Sequence, residues 1–311
     1  MPNHPASRRI LLSSGMSPQM IRTGVESGRL VRVRRGVFIS ADAWPDDDAG
    51  QHLMTARAEL VLAPSAVLSH RTAALVWGLP HPGPASWEAG APEVSEPTGS
   101  GAKSRSGAVI HHLAMLPPGH VTTDIAGYAV TTPARTAVDL AATVDLPQAL
   151  VLLDAAGRQV CEGMVAAIKR SDYGNPRLVT AARAVLVDAA CARRSASLGP
   201  AIALAQPARE SVAESLSAGH FHLAGLPEPL LQHPIRTPLG TFHPDFYWPE
   251  RRLIGECDGA VKYADKDAMI FEKRREQALL DEGNRFVGWM AREVMFTPQV
   301  VVGRVARALG G

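Results

Sequence analysis

The chain has little cysteine, no long apolar run, almost no net charge and no internal repeat of fixed period, and each absence removes a class of protein. Cys161, Cys191 and Cys257 are the three cysteines among 311 residues. Odd in number and far apart, they fit neither a disulfide framework nor the paired spacing of a zinc finger. A reducing, cytoplasmic compartment is therefore expected. No stretch approaches the roughly 18 uninterrupted apolar residues of a bilayer span. The opening MPNHPASRRILLSSGMS holds too short an apolar run for a signal peptide, so no membrane partner is expected. A net charge of +2 names no partner by itself, and the local distribution has to be read instead.

What is present is an ordinary globular composition, 46% hydrophobic and 20% charged, which excludes a wholly disordered chain. The length exceeds one usual core and predicts two or three domains. Composition shifts at DAWPDDD (42–48), along the Pro-, Gly- and Ser-rich 81–107, which reads as a long loop, and at RRSASLGP (193–200). The layout expected is a first domain over 1–50, a second over 51–175, a helical linker over 176–208 and a last domain over 209–311.

The first forty residues carry seven arginines against the single acid Glu26. PASRRILLSSG reads as a short helix. A second begins at Ser17 as N-cap with Pro18 in the first turn. In RLVRVRRGVFIS, apolar residues alternate with arginines around a turn at Arg35–Gly36, the pattern of a β-hairpin. Two short helices and a basic hairpin describe a winged helix-turn-helix. The second helix would enter the major groove while Arg32, Arg34 and Arg35 neutralise phosphates. The alternative is a small basic domain that is merely well solvated or binds a protein.

Farther on, LSHRTAALVWGL, TTPARTAVDLA and ALVLLDAA follow one another in an α+β region. This order, behind a winged helix, resembles the AbiEi-type antitoxin-related proteins over about residues 1–170. The resemblance implies promoter binding by the winged helix, with Arg22, Arg29, Arg32, Arg34 and Arg35 as DNA contacts, and a cognate toxin protein as a second partner. His70–Arg71 and Arg135 are read as structural, with Arg135 and Asp139 an i,i+4 pair worth a few tenths of a kcal/mol. His111 and His112 sit on a predicted strand and point to opposite faces, so they cannot chelate one ion together and are not read as a metal site.

The last hundred residues read as a helix near Glu214, strands over about 230–235, 242–247 and 252–258, a basic helix, and a final strand RFVGWM. That is the skeleton of a restriction-endonuclease-like α/β/α domain. Asp245 lies near the start of one strand. Glu256 and Asp258 share a face of the next. Carboxylates brought together repel unless a cation lies between them, and Mg²⁺, with Mn²⁺ as the substitute, is the ion such a set would hold. The ES helix, AGLP turn, DF and ECDG segments and KRR run resemble the PD-(D/E)XK nucleases, and more closely a domain family related to very-short-patch repair endonucleases. The resemblance implies Asp245 and Glu256 as catalytic metal ligands, with Glu214 a supporting acid and Asp258 a further ligand. Asp258 stands where the motif lysine belongs, so Lys262 is the substitute expected. Lys273, Arg274 and Arg275 would track the nucleic-acid backbone, or else form a solvated helix face.

The whole is thus expected to be a mixed α/β, multidomain, DNA-binding protein. Its function is expected to be either Mg²⁺-dependent DNA cleavage or, with a dead nuclease-like domain, antitoxin-like regulation in a toxin-antitoxin or phage-defence system. Oligomeric state is not legible.

Overall fold

A computed structural model describes residues 1–97, 104–106, 108–259 and 266–310. The chain is a mixed α/β protein with several sheets, and its contacts gather into two compact units rather than the four segments expected. The first unit comprises Met1–Leu79, Ala85–Ala142 and Asp188–Ser197, and the second Pro80–Pro84, Thr143–Val187 and Leu198–Gly311.

The first unit opens with β1 (Ala6–Ser7), α1 (Arg8–Ser13), α2 (Pro18–Glu26), β2 (Leu30–Arg34) and β3 (Val37–Ser40). Both helices start on serine caps: Ser7 accepts the Ile10 N–H and Ser17 that of Met20, which satisfies donors the first turn leaves free. Gly15, at φ 95°, supplies the left-handed step between them. The strands form a sheet in the order β1-β3-β2, and Ala6, Leu11, Ile21 and Phe38 bury a small core under the helices. The expected helix-turn-helix and basic hairpin are both present as elements.

α3 (Asp48–Leu62) is followed by β4 (Val67–Leu68), α4 (His70–Trp77), β5 (Glu93–Glu96), β6 (Ser104–Ser106), β7 (Val109–Leu113), β8 (Val121–Thr123), β9 (Ala129–Thr131) and α5 (Pro133–Ala141). The strands form one mixed sheet in the order β6-β7-β5-β4-β9-β8. The long loop expected over 81–107 is corrected here. It contains β5, which pairs with β7 in parallel and β4 antiparallel in the middle of the sheet. Four residues flanked by prolines carry too little pattern to show as a strand, and burial of Val94 and Ser95 on both faces decides the matter. Residues 98–103 and 107 of that stretch lie outside the described residues.

The second unit holds α6 (Leu146–Met164), α7 (Pro176–Arg193, whose last turns fall in the first unit), α8 (Gly199–Leu204) and α9 (Val212–Leu223). The 176–208 segment is no linker: Ala182, Leu186 and Ile202 are buried. α6 and α9 approach closely because Gly219 has no side chain; a Cβ there would lie 2.5 Å from Pro147 Cα. Asp154, fully buried on α6, accepts the Gln206 N–H, an Arg209 guanidinium N–H and the Ser215 hydroxyl.

Then come β10 (Leu230–Leu231), β11 (Ile235–Thr237), β12 (Gly240–Phe242), β13 (Phe246–Trp248), β14 (Leu253–Asp258), α10 (Lys266–Asp281), β15 (Arg285–Met290), α11 (Ala291–Phe296) and α12 (Pro298–Gly310). The sheet order is β10-β13-β14-β15, antiparallel except for the parallel β14–β15 pair. The strand expected over 230–235 is two short ones, and the strand expected from 242 begins at 246. β11 and β12 form a separate hairpin. Pro244, which has no N–H to donate, precedes β13. The core packs Phe221, Phe246, Trp248 and Trp289 against Leu253, Val301 and Val305. Gly255 is required in it, since a Cβ would come within 3.0 Å of both Trp248 and Trp289.

Candidate functional site

Two groups of predicted residues can be located, an acidic one at the end of β14 and a basic one on the N-terminal helices and hairpin. The antiparallel register Phe246↔Gly255 sets Asp245 across from Glu256, as the sequence spacing required. Asp245 accepts the Cys257 N–H at 3.0 Å through Oδ2. Its carboxyl is nevertheless pushed up to about 6, chiefly by burial, with the Glu256 charge adding to the rise and the Cys257 N–H opposing it. Glu214 is buried on α9 and pushed up to about 7, first by desolvation and then by Asp245. Asp258 is exposed at the strand end, and its pKa is raised, first by desolvation. The Cys257 thiol is raised to about 12, first by burial and then by the Asp245 and Glu214 charges.

The acids are close enough to feel one another, but the oxygens of Glu256 and Glu214 already have partners. Arg275, on α10, donates to both Glu256 oxygens, at 2.8 Å from Nη1 and 2.6 Å from Nη2. It also bonds Glu272 through Nε at 2.8 Å. Such a forked contact is the strong form of an ion pair. Glu214 forms a reciprocal helix cap: its backbone N–H donates to Ser211 Oγ, while its carboxylate accepts the Ser211 hydroxyl at 2.8 Å and the Glu210 N–H at 3.0 Å. Asp245, Glu256, Asp258 and Glu214 do not, among the described residues, form a set of three donors within 4.8 Å of one another. As arranged they do not fit a Mg²⁺ ion, because a guanidinium already balances Glu256. Lys262 lies outside the described residues. Lys273 and Arg274 are exposed on α10, whereas Arg275 is turned inward onto Glu256, which corrects its expected place on a nucleic-acid-facing row.

On the first unit, Arg22 of α2 and Arg32 and Arg35 of the hairpin join Arg8 in lining a groove of 520 Å³. Arg29 is exposed at the hairpin's start, its Nε on Ser27 Oγ at 3.1 Å. Arg34 departs from the expected set. The register of β2 shifts between Arg32 and Arg34, an irregularity of the kind that re-aims a side chain. Arg34 forms an ion pair with buried Glu59 of α3, which also faces His111 Nε2 at 3.3 Å. Its pKa is lowered by burial, and Arg34 is half-buried against Glu59 rather than free on the surface.

His111 and His112 do point to opposite faces: His111 Nδ1 meets Glu96 at 2.5 Å and His112 Nε2 meets Glu93 at 3.3 Å. Arg135 is structural as expected, but its pair with Asp139 is not the surface contact expected. Arg135 and Asp139 are 1% and 2% exposed, so the pair is a buried one. Residues missed from sequence include Glu93, hidden in the apparent loop, and the Ser211-x-x-Glu214 cap, a recognisable motif whose acid is engaged in the cap rather than free to support a metal.

The fold and these sites define a mixed α/β, multidomain chain with a basic helix-turn-helix and hairpin at one end and an acidic hairpin near the other. Residues 65–172 match the family model of the AbiEi antitoxin C-terminal domain, the region that spans the central sheet of the first unit and runs on through α6. Two uncharacterized proteins of Mycobacterium tuberculosis, from strains CDC 1551 / Oshkosh and H37Rv, are each 31% identical over 187 residues. The aligned part is 60% of this chain and 63% of either relative; the chain thus spans under two thirds of the length of the curated relatives it matches. Among the described residues no helix is long and apolar enough to cross a membrane.

Proposed function

We propose that the chain is an antitoxin-like, DNA-binding regulator: its first forty residues dock on duplex DNA, its AbiEi-matching region engages a cognate toxin protein, and its C-terminal domain serves as a nuclease-like scaffold. The observation that carries the reading is the match over residues 65–172, placed directly after a helix-turn-helix and hairpin. The arginine-lined groove supports the DNA part. Arg8, Arg22, Arg32 and Arg35 converge from two helices and a wing, the geometry in which a helix enters the major groove and flanking cations hold the phosphates. The test is fluorescence anisotropy of the full chain on its own upstream DNA and on unrelated duplex, across a salt series. The reading expects tighter binding to the upstream DNA and a steep fall with salt; flat binding at low salt defeats it.

A second reading has a specific observation in its favour. Asp245 and Glu214 are buried acids whose pKa values rise first through desolvation and further through a neighbouring carboxylate, a repulsion that a cation between them would relieve. In that reading Asp245 and Glu256, with Asp258 beside them, would hold Mg²⁺ or Mn²⁺ once Glu256 is freed from Arg275, and the ion would lower the pKa of a bound water for attack on a phosphodiester. Cleavage of supercoiled plasmid by wild type, abolished by EDTA and by Asp245→Ala and Glu256→Ala alike, would replace the scaffold with an endodeoxyribonuclease. Intact plasmid under DNA-binding conditions keeps the regulator.

A further inference from the structure

The central sheet of the first unit gathers a different set of donors, independent of both readings above. His70 opens α4, His112 lies on β7 and Glu93 on β5, and their ligand atoms all fall within 4.8 Å of one another. β5 and β7 pair in parallel, so alternation sends Glu93 and His112 to one face, while Val94 and His111 face α3 on the other. α4 brings His70 over that first face.

Each member of the set is held. Ser69, fully buried, touches His70 Nδ1 at 3.0 Å and is itself fixed by Ser95 at 2.8 Å, which leaves Nε2 as the donor that faces outward. Glu93 is 4% exposed, accepts the Arg71 N–H at 3.1 Å and has the Arg71 guanidinium at 3.2 Å. His70 adopts φ 49°, a left-handed backbone that a non-glycine residue rarely takes and that clusters at functional positions. His70 and His112 rings lie face to face, with centroids 3.7 Å apart and planes 18° from parallel.

We propose that His70, Glu93 and His112 form a site for one divalent transition-metal ion of the zinc type. Two imidazoles and one carboxylate are a donor set that zinc takes with a fourth position open. A cleft of 860 Å³ reaches His70 and His112 past Arg135, Asp139 and Arg193, so solvent or a small ligand has access to that position. Donors around one tetrahedral zinc lie about 3.4 Å apart. The set therefore closes by turning the two rings from face-to-face to edge-on, with Ser69 keeping the His70 tautomer and Arg71 orienting Glu93. Outer partners of this kind fix ligand orientation. Mg²⁺ is the wrong ion for the set, since it prefers oxygen ligands and octahedral geometry.

The experiment is calorimetric titration of the full chain, stripped with EDTA, with Zn²⁺ and in parallel with Mg²⁺, followed by Co²⁺ for its visible spectrum. Wild type is expected to bind one Zn²⁺ and to ignore Mg²⁺. The site is expected to be lost in His70→Ala, His112→Ala and Glu93→Gln, and weakened about tenfold in Ser69→Ala. Equal uptake by wild type and the three ligand variants, or none by wild type, overturns the proposal. Should a variant fail to fold, wild type alone still decides it: Zn²⁺ is expected to shield His70 and His112 from diethyl pyrocarbonate, read by peptide mass spectrometry. Unchanged modification of both overturns the proposal as well.

Discussion

Arg275 holds Glu256 by both carboxylate oxygens, at 2.6 and 2.8 Å, so the charge that a cation would balance is balanced within the protein. Removing the guanidinium leaves Glu256 beside Asp245 with no counter-charge. Arg275→Ala is expected to lower stability by about 1.5–3 kcal/mol, the usual worth of a hydrogen bond to a charged group. The variant should also acquire a rise in Tm with millimolar Mg²⁺ or Mn²⁺ that wild type lacks. Thermal melts with and without the ion check both effects. A variant indifferent to either metal would mean that the acids keep no cation site even when unlocked.

Glu214 gives the second unit a pH dependence of definite sign. Unfolded, it releases its proton near pH 4.5; folded, near 7, because burial and Asp245 disfavour its charge. Between these values the native state holds more protons than the unfolded one, so this contribution to stability falls as pH rises and is constant outside the window. His70, lowered from 6.5 to about 4, works in the opposite direction, and a raw Tm profile mixes the two. The difference between Glu214→Gln and wild type separates them. It is expected to move in the variant's favour by about 2–3 kcal/mol between pH 4.5 and 7.5, with Asp245 sharing the titration. Urea denaturation at four or five pH values reads it, and a difference that stays level excludes the raised carboxyl.

Asp139 binds two guanidiniums: Arg135 Nε on Oδ2 and Arg193 Nε on Oδ1, each at 3.0 Å. Arg135 also donates to the Met115 carbonyl at 2.8 Å. Asp139→Ala strands a fully buried cation next to a second one, and is expected to cost about 3–5 kcal/mol. Arg193→Met, which leaves the inner pair intact and removes the more exposed partner, should cost clearly less. Equilibrium unfolding of the two variants ranks them, and near-equal losses would mean that the inner pair is not the one that matters.

Much of this was legible in the residues, for local reasons. Ser17-Pro18 and Arg35-Gly36 announce a helix start and a hairpin turn through backbone chemistry that tertiary context rarely overrides, and both are where expected. The ten residues between Asp245 and Glu256 were enough to set them across from each other. What was not legible depends on neighbours distant in sequence. β5 is four residues between prolines, and only its place in the middle of the sheet makes it a strand. The row Lys273, Arg274, Arg275 looks uniform, yet one of the three is withdrawn by Glu256. His112 was dismissed by comparison with its neighbour His111, when its partners come from α4 and β5.

Arg34 offers the sharpest separation of fold from function in the basic region. It lies within three residues of Arg32 and Arg35, yet its guanidinium is turned onto buried Glu59 while theirs face the groove. A protein that neutralises Z phosphates loses affinity with salt at a logarithmic slope of about −0.9 Z. Single Arg22→Ala, Arg32→Ala and Arg35→Ala variants are each expected to flatten the slope by about 1, without a change in Tm. Arg34→Ala is expected to do the reverse: to leave the slope alone and lower stability by about 2–4 kcal/mol, because buried Glu59 then loses its guanidinium and keeps only His111 beside it. Anisotropy at four salt concentrations with a melt of each variant measures both quantities. Equal slope changes for all four arginines would place Arg34 on the DNA, with its Glu59 contact broken in the complex. No slope change in any of them would remove DNA from this face altogether.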